Sequence, residues 1–105
     1  FSLKIWCNIN PPQTYNTVHC HPSSHFSGIY YVKTPKKSGD LRFLNQDRYY
    51  DDLSGGKVLN PDFLVKPSEG ALVIFKSSLL HKVEMNKSNE NRMSIAFNVM
   101  IEKNI

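Results

Sequence analysis

Residues 92–101 read RMSIAFNVMI. Met93, Ile95, Phe97, Val99 and Ile101 fall on one parity, and Arg92, Ser94, Ala96, Asn98 and Met100 on the other. A period of two is the mark of a β-strand, because successive side chains leave opposite faces of the pleat. Working outward, 3–9 (LKIWCNI), 15–21 (YNTVHCH), 26–34 (FSGIYYVKT), 41–44 (LRFL), 71–75 (ALVIF) and His81-Lys82-Val83 also read as short extended runs. They are rich in β-branched and aromatic residues and are bounded by turn formers. Pro11-Pro12, Pro22, KKSGD at 36–40, Pro67-Ser68-Glu69-Gly70 and NKSNEN at 86–91 supply the breaks. Helical periodicity is almost absent. The pattern predicts an all-β sandwich or barrel. Residues 45–66 (NQDRYYDDLSGGKVLNPDFLVK) are polar and carry Gly55-Gly56 and Asn60-Pro61. They predict a long mobile loop near the site, with a short strand at 63–65, and the best cover for a substrate.

The chain has 105 residues, the size of one domain, and shows no internal repeat or boundary, so 1–105 reads as a single domain. Hydrophobic residues at 40% and charged residues at 21% exclude a disordered chain and a coiled coil. No apolar run approaches the ~18 residues of a membrane helix. The chain starts at Phe1, and its first residues lack a basic segment followed by a long apolar one. It therefore reads as a processed product or a fragment of a longer chain, without a signal peptide. The net charge is +4, but the basic residues are scattered. That implies a solvated surface with a modest pull on anionic substrates, and no nucleic-acid partner. Two cysteines, Cys7 and Cys20, are no disulfide framework. Reduced thiols and a cytoplasmic location are the expectation.

Three of the four histidines, His19, His21 and His25, fall within seven residues. In a strand, His19 and His21 face one way and can present two imidazoles to one metal. His81 lies just past an apolar strand, and a barrel can bring it beside them. Two ligands from one strand and one from a distant strand make a facial site with open positions, as in the non-haem iron oxygenases. Arg92 and Ser94 share a strand face with Ala96 and Asn98. Together they offer three donors to one carboxylate.

In chain order, the motifs are H-x-H, S-G-I-Y-Y-V, S-G-D-L-R-F, P-x-E-G-x-L-V-I-F-x-S-x-L-x-H-x-V and R-M-S-I-A-F-N. Over roughly residues 6–99 they resemble the small 2-oxoglutarate- and Fe(II)-dependent oxygenases. The resemblance implies a double-stranded β-helix, a distorted jelly-roll barrel of the cupin-like kind. It implies His19, His21 and His81 as Fe(II) ligands, with Arg92 and Ser94 gripping the distal carboxylate of 2-oxoglutarate. Most of the superfamily has a carboxylate where His21 stands; His-x-His-Pro is usual in this branch. Asn16 is a candidate partner for the oxoacid end of the cosubstrate. Tyr30 or Tyr31 is a candidate for a carboxylate, one facing inward and one outward. His25 reads as a rim group or a fourth ligand, and nothing in the spacing brings Asp40 to the metal.

The implied activity consumes dioxygen and decarboxylates 2-oxoglutarate to succinate while oxidising a C–H bond of a small molecule or a protein side chain. Two other classes stay open. One is a cupin-like metalloenzyme using the same histidines, against which Arg92 and Ser94 speak. The other is a non-enzymatic metal-binding β-barrel, against which the complete histidine set speaks.

Overall fold

The computed structural model describes residues 1–45, 55 and 62–102. Among them are eight strands: β1 (Ser2–Asn10), β2 (Asn16–His19), β3 (Phe26–Lys33), β4 (Leu41–Phe43), β5 (Phe63–Val65), β6 (Leu72–Lys76), β7 (His81–Val83) and β8 (Arg92–Met100). They form two four-stranded antiparallel sheets, in the orders β1-β8-β3-β6 and β2-β7-β4-β5. Two packed four-stranded sheets are the jelly-roll arrangement. Each predicted strand is present, with boundaries shifted by a few residues at most. No helix of the described residues is long and apolar enough to cross a membrane.

The predicted 45–66 loop lies largely outside the described residues. Its two ends are clamped: the Asn45 backbone N–H donates to Asp62 Oδ1 at 2.7 Å. Arg42 reaches both Asp62 at 3.4 Å and Glu84 at 3.3 Å, which ties the start of β5 to β4 and to the end of β7.

The hydrophobic core is small and sits at one end, where Leu41, Phe43 and Val83 of one sheet meet Phe75 of the other. Phe43 and Phe75 pack edge-to-face at 4.9 Å, a favoured aromatic geometry. Elsewhere the usual in/out pattern is reversed. The inner face of β8 is Arg92, Ser94 and Ala96, all buried. The outer face of its sheet leaves Leu3, Ile5, Ile9, Phe26, Tyr30, Leu72 and Ile74 exposed. On that outer face the Phe97 ring lies over Gly28, 2.0 Å from where a Cβ would stand, so a larger residue there must displace the ring. Cys7 and Cys20 are free thiols.

Candidate metal centre and its polar floor

His19 and His81 are register partners across β2 and β7. Their ring centroids are 4.3 Å apart. His21 completes the group, with centroids 5.0 Å from His19 and 5.3 Å from His81. One ring nitrogen from each lies within 4.8 Å of the others. His19 and His21 converge although they do not share a paired strand. β2 ends at His19, so His21 is not on a paired strand. Pro22 disfavours the helical region for the residue before it. The His21 N–H is held by the Ser77 carbonyl at 2.8 Å.

The ring nitrogens are sorted by their hydrogen bonds. His19 Nδ1 lies 2.7 Å from the Thr17 carbonyl, and His81 Nδ1 lies 2.9 Å from the Leu79 carbonyl. A carbonyl only accepts, so Nδ1 carries the proton and Nε2 keeps its lone pair for a metal. Burial pushes the His81 imidazole down to about 4, with the two neighbouring histidines adding to the fall and the Leu79 carbonyl opposing it. His21 is lowered as well, by burial and then by His19. Neutral imidazole is the metal-binding form, so the donor set fits a divalent transition metal. Phe43 and Phe75 flank His81, and Trp6 stands 6.2 Å from His21.

His25 does not join the cluster. It is exposed, and its Nδ1 accepts from the Ile101 N–H at 3.0 Å, stitching the end of β8 to the start of β3. Asp40 is also outside the cluster.

Arg92 and Ser94 lie on the inner face of β8, each only 2% exposed. Tyr31 is the register partner of Ser94 and is buried, whereas Tyr30 is exposed. The Arg92 guanidinium donates to the Gly39 carbonyl at 3.3 Å and to Asn10 Oδ1 at 3.5 Å. Among the described residues its Nε–H has no partner, and neither does the Tyr31 hydroxyl nor the Ser38 hydroxyl. Burial raises the Tyr31 phenol, Arg92 opposes this, and Asp40 adds to it. The phenol therefore stays protonated as a donor. Burial also lowers Arg92, but a guanidinium remains charged in proteins. A buried cation with unused donors beside it is costly unless an anion arrives.

Asn16 lines the same cavity as His19, His21 and His81. Its side chain is engaged: Oδ1 accepts from Asn10 Nδ2 at 3.2 Å, and Asn10 in turn accepts from Arg92. Asn16 thus connects to the Arg92 end through Asn10. Sequence reasoning missed Asn10, which is the register partner of Arg92. The signal was available in the alternation of Trp6, Asn8 and Asn10 on the opposite parity to Ile5 and Ile9. The cavity floor adds Ser27, whose hydroxyl donates to Asn98 Oδ1 at 2.7 Å and lies 2.8 Å from Ser77 Oγ.

A family model described as "Putative 2OG-Fe(II) oxygenase" matches residues 4–98. The chain belongs to this family. No curated protein sequence matches it. Among solved structures, it resembles a Pseudomonas putida prolyl-4-hydroxylase (TM-score 0.73, 20% identity, 98% of this chain and 54% of that one). It also resembles an oxidoreductase of the 2OG-Fe(II) oxygenase family from Burkholderia pseudomallei (TM-score 0.70, 15% identity, 92% of this chain and 44% of that one). A cupin domain from Bordetella pertussis is similar too (TM-score 0.61, 14% identity, 94% of this chain and 82% of that one). These likenesses establish the fold, a cupin-like jelly roll. The chain spans about half the length of the first two structures.

Proposed function

We propose that this domain of the 2OG-Fe(II) oxygenase family couples the oxidative decarboxylation of 2-oxoglutarate to oxidation of a second substrate. The observation that carries the reading is the pairing of two features inside one barrel. Three imidazoles converge, and on the same inner surface a buried arginine has, among the described residues, an unused donor beside an unused phenol. Iron(II), when bound, supplies the site for dioxygen and the redox chemistry.

The roles of the chain's own residues follow from their placement. His19, His21 and His81 hold the metal and leave coordination positions open. Three neutral ligands leave the charge of the metal uncompensated, which favours the dianionic cosubstrate. Arg92 and Tyr31 offer the carboxylate that cannot reach the metal a charge-assisted pair of donors. Ser94 adds a hydroxyl from the same face. Asn10 holds the guanidinium in place, and Asn16 holds Asn10. Phe43, Phe75 and Trp6 keep water from the imidazoles.

Anaerobic loading with Fe(II), then addition of 2-oxoglutarate and air, should release succinate at a rate above that of metal-free protein. Silence with every candidate second substrate, in protein shown to hold stoichiometric iron and 2-oxoglutarate, would favour the non-catalytic binding module instead.

A further inference from the structure

A second cavity, about 730 Å³, opens beside the histidine pocket. Its size is that of a small-molecule site. Tyr15, Asn16, Thr17 and Val83 line both cavities, so strand β2 is the wall between them. Three lysines, Lys37, Lys82 and Lys87, line the second cavity. None of the three is in an ion pair among the described residues, whereas Lys33 pairs with Glu90.

The lysines are held together by the backbone. The Lys87 N–H donates to the Lys37 carbonyl at 2.8 Å, locking the two loops side by side. Lys37 itself adopts φ +65°, a region that costs a non-glycine residue energy. Lys82 projects from β7 next to Arg42. Two acids also line the cavity, Asp40 and Glu84. Glu84 is balanced by Arg42 at 3.3 Å, which leaves Asp40 as the one other acid lining the cleft with the three lysines, among the described residues. Like charges held in one cleft repel, and a bound anion relieves that repulsion.

We propose that the substrate carries an anionic group, phosphate or carboxylate, which Lys37, Lys82 and Lys87 hold in this cleft while the carbon to be oxidised reaches the metal over β2. The assignment of the cleft to a substrate rests on the oxygenase reading; the anion site itself does not. Lysine suits the task, since an ammonium is a point charge that accepts either oxyanion. Tyr15, Val18 and Met85 give the cleft an apolar wall for the carbon skeleton.

The test is an amide NMR titration of the zinc-loaded protein with sodium phosphate, sodium acetate and sodium chloride at matched ionic strength. Phosphate or acetate should give saturable shifts at Val18, Lys82, Met85 and Lys87 that chloride does not, and the stronger of the two names the anion. The double variant Lys37→Gln/Lys87→Gln should weaken that binding at least tenfold, and adding Lys82→Gln should abolish it. Oxyanions also bind zinc, so the titration is repeated on His81→Ala, where the shifts in the cleft should persist without metal. Shifts that match chloride, that survive the lysine variants, or that vanish in His81→Ala overturn the anion site. Failure to form succinate overturns the oxygenase reading and leaves this titration unaffected.

Discussion

His19 and His81 sit directly opposite one another on β2 and β7, and each fixes its ring by a hydrogen bond to the carbonyl two residues before it in the chain. The two imidazoles are therefore oriented before any metal arrives. His81→Ala removes one oriented ligand and opens space between Phe43 and Phe75. Bound iron after anaerobic loading, measured by mass spectrometry of the metal, should fall to background. Full stoichiometry in His81→Ala would sink the three-histidine assignment.

Arg92 should govern the cosubstrate and not the metal. Removing one partner of a buried charge pair costs about 3–5 kcal/mol. Arg92→Ala should thus weaken 2-oxoglutarate binding by about two to three orders of magnitude, at ~1.4 kcal/mol per tenfold. Arg92→Lys should recover only part, lacking the planar fork. Calorimetric titration of 2-oxoglutarate into metal-loaded protein reads the effect. Equal affinities would point to the cupin-like alternative.

Tyr31→Phe should split binding from stability. The Tyr31 hydroxyl is buried without a partner among the described residues, and such a group is expensive to keep. Its removal should leave the unliganded protein as stable as wild type or slightly more so in urea. The same change should weaken 2-oxoglutarate about tenfold or more, since a hydrogen bond to a charged group is worth roughly 1.5–3 kcal/mol. A loss of stability with unchanged affinity would assign the hydroxyl to the fold alone.

The metal-free protein should lose stability in mild acid. His81 titrates near 6.5 when unfolded and at about 4 when folded. The unfolded chain takes up the proton first, so the stability from His81 is complete above 6.5, erodes as the pH falls, and levels off below 4. The slope should approach ~1.4 kcal/mol per pH unit within that window. Urea midpoints of wild type and His81→Asn between these limits check it: the variant should show a visibly flatter profile.

The outer sheet offers a packing test. At Gly28 an added Cβ meets the Phe97 ring at 2.0 Å. Gly28→Ala should destabilise the fold by about 1–3 kcal/mol, the usual range for overpacking. Phe97→Leu in the Gly28→Ala background should restore part of it. An additive loss in the double variant would show that ring and glycine do not interact.

The strands were legible because turn formers and alternation agree along the whole chain, from Pro11-Pro12 to the 86–91 turn. The histidine set was legible for a chemical reason: three imidazoles, two of them two apart, stand out in any sequence. Their exact support was not. Pro22 and the Ser77 carbonyl hold His21, and neither is visible as part of a strand pattern. Choosing between Tyr30 and Tyr31 needed the register of β3 against β8. Asn10 was overlooked because asparagine near a Pro-Pro turn reads as a turn residue. Alternation puts Arg92, Ser94, Ala96 and Asn98 on one face of β8, but alternation alone does not say which face is inside. Of the 45–66 stretch, the short strand at 63–65 was legible from its apolar run, and most of the rest lies outside the described residues.

The clustering of Leu41, Phe43, Phe75 and Val83 at one end has a dynamic consequence. Cooperative units of a protein open in order of the apolar contact that holds them. Here the apolar cluster lies behind His81, in β4, β6 and β7, while the Arg92 side chain lies outside it and is held by polar contacts to Gly39 and Asn10. Partial opening should therefore begin on the Arg92 side and expose the proposed cosubstrate end first. The metal end would remain assembled, so cosubstrate exchange need not release the metal.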